Sequence, residues 1–327
     1  MRFRTSEVAE ATGGYLVGPD VEVAGAVIDS RQVHGGELFV PVVACRDGHD
    51  FVTAALAAGA GAYLSARASV GGTAVLVEDT LAALAALGSE VRSRLSDRLQ
   101  GRVVAVTGSV GKTSVKDLLA AAIGARWSTA ASAGSFNNEL GVPLTLLDAP
   151  EGTEALVMEM GARARGDLER LCAVARPTVG VITAVDLVHT ETFGTIADVA
   201  RAKAELVAAL PADGTAVLNA DDPRVAAMAG ATKATVVSYG VGGADVSATE
   251  VELDGELRPS FRLHSPWGDA WVRLQVRGRH QVGNALAAAA AALVCGVDPD
   301  HVATGLGQAS LSPWRMALVR AASGALV

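Results

Sequence analysis

The feature that most constrains this chain is an apolar strand that runs directly into a glycine-bearing turn and a helix. Residues 103–107 read Val-Val-Ala-Val-Thr, and the turn after them ends in Gly111-Lys112-Thr113. Such a strand–turn–helix unit directs backbone N–H groups and the positive end of a helix at one point, which suits a phosphate group. The sequence therefore predicts an α/β arrangement, with this strand inside a sheet that helices cover.

The turn itself is interpreted as a phosphate loop for ATP. Glycine lets the backbone turn tightly and approach a phosphate. Lys112 would reach the β- and γ-phosphates, and the Thr113 hydroxyl would serve Mg²⁺. The position that carries the first glycine in the commonest pattern is Val106, so a glycine turn with a chance Lys-Thr pair is the alternative. The flanking strand and helix favour a phosphate loop formed by Gly108, Ser109, Val110, Gly111, Lys112, Thr113 and Ser114.

The rest of the chain predicts two domains, which its 327 residues and half-hydrophobic composition also favour. Residues 1–99 carry short strand-like runs and helical patterns that indicate a small α/β domain: strands at 21–28, 38–43 and 74–77, and helices at 51–59 and 80–95. In residues 100–327, alternating strands and helices indicate a parallel sheet: strands at 155–159, 179–183 and 216–219, and helices at 167–175 and 196–209.

After residue 234 the pattern changes. Four runs, at 236–239, 246–251, 261–264 and 271–276, alternate like antiparallel strands, and a helix at 281–295 is predicted to close the unit. The second domain is thus predicted to combine a central parallel sheet with a few antiparallel strands.

Composition narrows the function classes. The net charge is −8 and no long basic run occurs, which does not favour nucleic acid as a partner. Three separated cysteines, Cys45, Cys172 and Cys295, indicate neither a disulfide framework nor a zinc site, and Cys172 is interpreted as a core residue. The N-terminus has no apolar signal core, and the longest apolar run, 285–295, is too short to span a bilayer. These features predict a cytoplasmic location without stable membrane insertion.

Candidate metal ligands follow two of the predicted strands. Glu159 ends an apolar strand, at the carboxyl end where open α/β sheets bind ligands, and is predicted to serve Mg²⁺. His189 lies in a loop at the same sheet edge, where a surface or capping histidine is nearly as good an interpretation. Lys203 lies on a predicted helix and, from spacing alone, reads as a solvated lysine; Arg201 and Glu205 read as ordinary helix-surface charges.

The phosphate loop, read as Thr-Gly-Ser-Val-Gly-Lys-Thr-Ser, resembles that of the Mur ligases, the ATP-dependent amide ligases of peptidoglycan precursor synthesis. Within that family the match leans to the branch that adds D-alanyl-D-alanine to UDP-N-acetylmuramoyl-tripeptide. The leaning rests on segments 29–31 with 38–40 and 47–49, 135–145, 158–162, and 278–285, and the similarity continues to Arg315-Met316. Each segment is weak alone, and the ordered set is specific.

The resemblance implies a role for each matching position. Ser30, Arg31, Asp47 and His49 would hold the UDP part of the acceptor. Asn137 and Asn138 would lie along the UDP-muramoyl peptide, while Glu159 and His189 would serve Mg²⁺. Lys203 matches a lysine that several family members carry as a carbamate, an anion that can ligate Mg²⁺. The adenine end of ATP would face His280, Asn284, Asn219 and Asp222, and Arg315 would lie near the ribose or the phosphates.

The implied reaction has no protein nucleophile. The acceptor carboxylate attacks the γ-phosphate, and the amine then displaces phosphate from the acyl phosphate. Lys112, Lys203 and His189 are the candidate catalytic residues, and we expect a monomer. The family has three domains, and this chain stops about where the third would begin. The resemblance therefore leads us to expect a chain that lacks the C-terminal ligase domain and turns over poorly.

Two alternatives remain open at the level of sequence. Gln281 stands where the family commonly has asparagine, and residues 183–189 lack an expected asparagine and Ala-His pair. These departures allow a paralogue that joins another acid and amine, such as a folyl-polyglutamate synthetase-like enzyme. They also allow a nucleotide-binding module without catalysis. A P-loop kinase or a GTPase is a weaker interpretation, since neither a guanine-specifying motif nor a kinase-like lid is evident.

Overall fold

A computed structural model describes residues 1–187 and 193–313 of the chain. The fold is α/β and divides into two compact units. The first unit consists of Met1–Asp97, Phe136–Gly152 and Ala173–Ala175, and the second of Arg98–Ser135, Thr153–Cys172 and the residues from Arg176 onward. The sequence boundary at residue 99 assigns Phe136–Gly152 to the second domain, whereas this segment packs with the first unit.

The first unit contains a mixed sheet and a short separate strand pair. Its strands are β1 (Arg2–Arg4), β2 (Tyr15–Val17), β3 (Glu22–Ala24), β4 (Ala26–Val27), β5 (Leu38–Phe39), β6 (Ala62–Ser65) and β7 (Ala74–Leu76). The five-stranded sheet has the order β2-β7-β6-β5-β4, parallel except for the β2–β7 pair, while β1 and β3 pair with each other. Three of these strands, β1, β2 and β6, were not predicted, because they are short and lack regular alternation.

Helices cover this sheet: α1 (Thr5–Thr12), α2 (Val52–Ala57), α3 (Thr80–Arg94) and, from the inserted segment, α6 (Gly141–Asp148). The Asp79 carboxylate accepts hydrogen bonds from the amides of Leu81 and Ala82, and so caps the N-terminus of α3. Helices α3 and α6 pack closely: a Cβ added to Gly88 would lie only 3.0 Å from Pro143. The glycine therefore permits the approach of the two helices.

The second unit is built on six parallel strands: β8 (Val103–Thr107), β9 (Thr129–Ala131), β10 (Ala155–Glu159), β11 (Val179–Ile182), β12 (Thr215–Asn219) and β13 (Thr235–Tyr239). Their order is β13-β12-β11-β8-β10-β9, so the strand before the phosphate loop lies inside the sheet and is buried throughout. The prediction that residues 236–239 form an antiparallel strand is wrong. This strand pairs parallel to β12, and its alternation reflects an edge position with one face exposed.

The antiparallel strands of this unit form a separate three-stranded sheet, β14 (Ser247–Leu253), β15 (Pro259–His264) and β16 (Ala270–Arg273). Its helices are α4 (Ser96–Leu99), which spans the boundary between the units along the chain, α5 (Lys112–Gly124), α7 (Asp167–Ala175), α8 (Ile196–Ala208), α9 (Pro223–Ala226), α10 (Gln281–Val294) and α11 (Pro299–Gln308). The last three residues of α7 belong to the first unit.

Helix α5 is the centre of packing in the second unit. The alanine-rich α10 is almost entirely buried and lies against it, since small side chains let helix backbones approach. A Cβ on Gly305 of α11 would lie 2.4 Å from the carbonyl oxygen of Ala121. The helix predicted at 281–295 is confirmed as α10, but it does not close the unit, because α11 follows and also packs on α5. Among the described residues, no helix has the length and hydropathy needed to cross a bilayer.

Candidate functional site

Two glycines give the phosphate loop a backbone that other residues could not adopt. Gly108 has a φ of 148°, and a Cβ there would lie 1.9 Å from Oγ1 of Thr183. Gly111 has a φ of 85°, and a Cβ there would lie 2.8 Å from Oδ1 of Asn284. Both positions thus need glycine for conformation and for space. The loop connects buried β8 to α5, which begins at Lys112, as the sequence predicts.

The loop is held from one side by the residues that follow β11. The amide of Ser109 donates to the carbonyl oxygen of Ala184 at 2.7 Å. The Ser109 hydroxyl donates to the carbonyl oxygen of Asp186 and accepts from the Asp186 amide, both at 2.9 Å. Thr183 Oγ1 donates to the carbonyl oxygen of Val110 at 2.5 Å. These bonds fix the loop before any ligand arrives, which lowers the entropic cost of binding.

Lys112 lies across its own loop. Its Nζ donates to the carbonyl oxygens of Gly108 at 2.9 Å and Ser109 at 3.3 Å. The ammonium is therefore held where the loop closes, at the N-terminus of α5. A lysine in this position places a point charge beside an anion that the loop amides and the helix terminus also attract.

Oxygen donors for a divalent cation lie on the strand next to the loop. Glu159 ends β10 with a side chain that is 1% exposed, and it pairs in register with Val106 of β8. Its amide donates to Oγ of Ser132 at 3.2 Å. Thr113, at the start of α5, is also buried. Within residues 1–187 and 193–313, no group of three or more His, Cys, Asp and Glu side chains is arranged to hold a metal.

These donors nevertheless fit Mg²⁺. This ion needs few protein ligands, because waters and substrate phosphates complete its octahedron. A buried carboxylate and a buried hydroxyl at the carboxyl end of a parallel sheet, beside a phosphate loop, are such a set. Glu159 and Thr113 are therefore the residues that could hold the ion.

Lys203 is not the solvated lysine that its spacing alone suggests. Its side chain, on α8, is only 2% exposed. Burial, together with the positive charge of Lys112, lowers the pKa of Lys203 from 10.5 to about 8, against the opposing effect of Asp167 and Glu205. The ammonium groups of Lys203 and the phosphate-loop lysine, Lys112, thus repel each other electrostatically. At pH 8 about half of the Lys203 side chains therefore carry a neutral amine, whereas a surface lysine is almost fully protonated.

The interpretation of Glu205 as a surface charge is wrong. Its carboxylate accepts hydrogen bonds from the amide of Gly166 at 2.7 Å and from that of Glu169 at 3.4 Å, and so caps α7. Arg201, by contrast, is exposed and pairs with Asp198 at 2.5 Å, as expected of a helix-surface charge. Sequence spacing does not reveal the Glu205 cap, because its partners lie 36 and 39 positions away.

Asn219 and Asp222 both support the segment that holds the loop. The Asn219 amide nitrogen donates to the carbonyl oxygen of Thr183 at 2.8 Å. The Asp222 carboxylate accepts from the amide of Val185 at 2.8 Å. Buried Tyr239 donates its hydroxyl to the carbonyl oxygens of Ile182 and Thr183. Asn219 and Asp222, two of the four predicted adenine contacts, thus bond to the segment that supports the phosphate loop.

The predicted adenine-side residues near α10 occupy its N-terminus. Asn284 reaches Gly111 and donates from Nδ2 to Oε1 of Gln281 at 2.9 Å, while Gln281 itself is 1% exposed. His280 precedes the helix with an exposed side chain that lies against Gly278. Asn284 therefore lies against the phosphate loop, whereas the His280 side chain is exposed to solvent. His189 and Arg315 lie outside the described residues.

In the first unit, Ser30 and Arg31 lie in one helical turn, Ser30–Gln32, that Asp29 caps. The Asp29 carboxylate accepts from the Arg31 amide at 3.0 Å and pairs with its guanidinium at 2.6 Å. The Arg31 hydrogen bonds lower the pKa of Asp29 to about 2, so the pair is ionised at neutral pH. The Arg31 side chain is 87% exposed and can still reach an anion from this tether.

Asp47 and His49 form a closed set of bonds. The His49 side chain is only 5% exposed, and its Nε2 accepts from the amide of Ala66 at 3.0 Å. Nδ1 therefore carries the proton and donates to the Asp47 carboxylate at 2.7 Å. Arg67 also pairs with Asp47. Hydrogen bonds from His49 are the main cause that lowers the pKa of Asp47. Both ring nitrogens of His49 thus stabilise the loop.

Asn138 also has a structural role. Its Oδ1 accepts from the amides of Leu140 at 3.3 Å and Gly141 at 3.0 Å, at the start of α6. Asn137 is its half-buried neighbour. Both asparagines belong to the segment that packs with the first unit.

Sequence reasoning missed Thr183, Ser132 and Lys116 as parts of the site. Thr183 closes on the loop, Ser132 contacts the Glu159 amide, and Lys116 holds the Ser132 carbonyl oxygen. One signal was available for Thr183, since a polar residue at the carboxyl end of a strand next to the loop strand faces the ligand edge. Lys116 carried a weaker one, a lysine one helical turn after Lys112.

Comparison with known proteins identifies the family. A model of the Mur ligase middle domain matches residues 106–292. The UDP-N-acetylmuramoyl-tripeptide–D-alanyl-D-alanine ligase of Mycobacterium tuberculosis is 40% identical, over 94% of this chain and 66% of its own length. The ligase of the same name from Escherichia coli is 34% identical, over 98% of this chain and 71% of its own length. The chain thus spans about two thirds of the length of the mycobacterial relative.

Solved structures agree. The crystal structure of MurF from Acinetobacter baumannii superposes with a TM-score of 0.90 at 32% identity, covering 98% of this chain and 71% of that one. MurF from Thermotoga maritima, in complex with ADP, gives a TM-score of 0.77 at 30% identity, covering 91% of this chain and 68% of that one. With the phosphate loop, the buried Glu159 and the buried Lys203 in place, the chain belongs to the Mur ligase family.

Proposed function

We propose that this chain binds ATP and the acceptor in an enzyme that joins D-alanyl-D-alanine to UDP-N-acetylmuramoyl-tripeptide through an acyl phosphate. The observation that carries the proposal is the burial of Glu159 and Lys203 in the unit that holds the phosphate loop, with Lys203 in the field of Lys112. Relatives that are 30–40% identical over most of this chain carry the name of that ligase.

The first step would form the acyl phosphate. A carboxylate oxygen of the acceptor attacks the γ-phosphorus, the bond to the β–γ bridging oxygen breaks, and ADP leaves with that electron pair. Lys112 shifts from the Gly108 carbonyl oxygen to the transferring phosphoryl group, where its charge stabilises the developing anion. Glu159 and Thr113, with His189 as the further expected ligand, would hold Mg²⁺, which would neutralise phosphate charge.

The second step would form the amide. The amino group of the dipeptide, after losing a proton, attacks the acyl carbon, and inorganic phosphate leaves. No protein nucleophile is needed, because positioning supplies much of the rate. The buried Cys172, whose pKa burial raises to about 12, is unsuited to nucleophilic attack, which agrees with a mechanism without an enzyme-bound intermediate.

Lys203 is proposed to act as a carbamate. A buried ammonium beside Lys112 is unfavourable twice, through desolvation and through like-charge repulsion. The neutral amine can add to CO₂ and lose a proton to give an anion. That anion would attract Lys112 and offer oxygen to Mg²⁺, so one modification removes the repulsion and supplies a ligand.

Ligand-binding roles follow in the same way. Arg31 would pair with the diphosphate of UDP and Ser30 would add a hydroxyl, while Asp47 and His49 build the loop that meets the nucleotide. Asn137 and Asn138 would lie along the peptide. Asn284 and His280 would contact the adenosine end of ATP directly, Asn219 and Asp222 would act from behind the loop, and Arg315 would reach the ribose or phosphates. We also propose a cytoplasmic location, because ATP and UDP-linked precursors are cytoplasmic compounds, and we keep the expectation of a monomer.

The test follows one oxygen atom. UDP-N-acetylmuramoyl-tripeptide labelled with ¹⁸O at both oxygens of the reacting carboxylate is incubated with a stoichiometric amount of the chain, Mg²⁺-ATP and D-alanyl-D-alanine. The mechanism predicts one ¹⁸O in each phosphate released. Lys112→Ala should abolish release, and an acceptor with that carboxylate amidated should give none.

Release of unlabelled phosphate would contradict the acyl phosphate. Labelled phosphate with another acid and amine, and none with these substrates, would identify the chain as a paralogue. Tight Mg²⁺-ATP binding with no phosphate release in the presence of any acceptor would favour a nucleotide-binding module.

A further inference from the structure

A buried ion pair lies one helical turn beyond the phosphate-loop lysine. Lys116 and Asp117 on α5 pair at 2.7 Å, with side chains only 3% and 11% exposed. Lys116 follows Lys112 by four residues, so both lie on the same face of the helix. A buried ammonium is costly unless each of its three protons finds an acceptor.

All three protons of Lys116 are satisfied within the second unit. Besides the Asp117 carboxylate, Nζ donates to the carbonyl oxygens of Ser132 at 2.8 Å and Gly134 at 3.1 Å. These residues follow β9, so the lysine fixes the segment that leaves the edge of the sheet. The segment lies 16 to 18 positions from Lys116, which makes this a tertiary contact.

Ser132 carries the connection to Glu159. Its amide donates to the carbonyl oxygen of Val157 at 3.0 Å, and its hydroxyl accepts from the Glu159 amide at 3.2 Å. Ser132 is itself 2% exposed. The backbone pairing of β9 with β10 ends at Val157. Beyond it, the Ser132 hydroxyl is the acceptor for the Glu159 amide.

Asp117 anchors the opposite side. Its two carboxylate oxygens accept from the Ser312 amide at 2.7 Å and the Ser312 hydroxyl at 3.2 Å. The segment after α11 is thereby tied to α5. The pair therefore joins the phosphate-binding helix to two separate segments of the same unit.

We propose that Lys116 and Ser132 are positioning residues for Glu159. They connect α5, whose first turn meets the phosphates, to the backbone of the carboxylate proposed to hold Mg²⁺. This inference rests on the proposed function, since it gives Glu159 a metal to serve. The role proposed for both is to position Glu159 and not to contact the substrate. Together they set the distance between the end of β10 and the start of α5, which carries Thr113, the other proposed ligand.

The prediction is a selective loss of metal-dependent affinity. The probe is a non-hydrolysable ATP analogue, titrated by calorimetry with Mg²⁺ and again with EDTA. In Ser132→Ala, affinity with Mg²⁺ should fall about tenfold, whereas affinity in EDTA should stay within about twofold of wild type. Lys116→Met should act in the same direction. Because loss of a buried ammonium can unfold the unit, Ser132→Ala is the deciding variant.

The matched control is Thr178→Ala. The Thr178 hydroxyl also bonds the backbone of a neighbouring strand, since it accepts from the Val103 amide at 3.4 Å. It does so at the amino end of the strands, away from Glu159. This variant should lower thermal stability without changing the ratio of affinities with and without Mg²⁺.

Two outcomes distinguish failure of the positioning role of Ser132 from failure of the metal role of Glu159. If Ser132→Ala weakens binding equally with Mg²⁺ and with EDTA, or leaves both unchanged, Ser132 does not position Glu159 and the inference is wrong. If wild-type protein itself binds the analogue no better with Mg²⁺ than with EDTA, the proposed metal role of Glu159 fails, and the inference fails with it.

Discussion

The hydroxyl of Thr183 donates a 2.5 Å hydrogen bond to the carbonyl oxygen of Val110, and so joins the end of β11 to the middle of the phosphate loop. Thr183 is buried, and Asn219 and Tyr239 hold its own carbonyl oxygen from behind. The loop is thus supported by a packed layer of polar contacts. Support of this kind pre-forms a binding site.

Thr183→Val should weaken binding of a Mg²⁺-bound ATP analogue. The change keeps the shape of the side chain but leaves the Val110 carbonyl oxygen without this donor, at a cost of about 1.4 kcal/mol, or about tenfold in affinity. Thr183→Ser retains the hydroxyl and should bind within about threefold of wild type. Calorimetry decides, and equal affinity in the Val and Ser variants would show that the bond does not support the loop.

Gly108→Ala should abolish nucleotide binding. The added Cβ would lie 1.9 Å from Thr183 Oγ1, and the φ of 148° is strained for alanine. Gly124→Ala is the control, because it lies at the end of α5 with no heavy atom within 4 Å of the added Cβ. That variant should bind normally and be equally or more stable, by up to about 1 kcal/mol. Normal binding by Gly108→Ala would refute the loop geometry.

Lys203 should take up CO₂ as the pH rises through about 8. Burial and the charge of Lys112 lower its pKa from 10.5 to about 8, so the ammonium loses its proton about 2.5 pH units earlier than an ordinary lysine. Only the neutral amine reacts, and at pH 8 about half of Lys203 is neutral, against about one part in three hundred for a surface lysine.

The measurement is ¹³C NMR of protein equilibrated with ¹³C-bicarbonate. A carbamate signal should grow between pH 7 and 9, and Lys203→Arg should lose it while keeping any signal of the Met1 α-amino group. Lys112→Met should reduce the signal at pH 8, because removing that charge raises the pKa of Lys203 and also withdraws a partner from the anion. Identical carbamate signals in wild type and Lys203→Arg, or no signal at pH 9, would contradict the assignment.

Native protein should expose one reactive thiol. Cys45 is exposed, whereas burial raises the pKa of Cys172 and Cys295 to about 12, leaving about one part in ten thousand as thiolate at pH 8. A chromogenic disulfide reagent should titrate one thiol rapidly before unfolding and three after it. Cys45→Ser should remove the rapid phase, and rapid reaction of all three in native protein would show that these cysteines are not in the core.

Strong local patterns predicted four of the six strands of the central parallel sheet, all except β9 and β13. Strands β8 and β10 and helix α7 occupy the predicted residues, because buried parallel strands are continuous apolar runs and the intervening helix has a clear apolar face. Short strands such as β1 escaped detection, since three residues carry too little periodicity. The parallel pairing of β13 was missed because an edge strand alternates as an antiparallel one does.

For the candidate site too, local sequence patterns revealed some residues, and others depend on tertiary packing. Loop chemistry is local, so Lys112 and the glycines could be read from the chain, and Glu159 could be placed by strand-end reasoning. The burial of Lys203, the cap made by Glu205 and the link from Lys116 to Ser132 depend on which elements pack together. Their partners are distant along the chain, and no spacing rule reveals them.

The most direct test of the proposed ligase function is a calorimetric titration of the chain with UDP-N-acetylmuramoyl-tripeptide, with and without a Mg²⁺-bound ATP analogue. We expect saturable binding that Arg31→Ala weakens by about tenfold or more, because its exposed guanidinium would pair with the diphosphate. Arg2→Ala, which removes another exposed and paired arginine of the same unit, should bind normally. Clear binding of the ATP analogue with no binding of the UDP-tripeptide would contradict the proposed function.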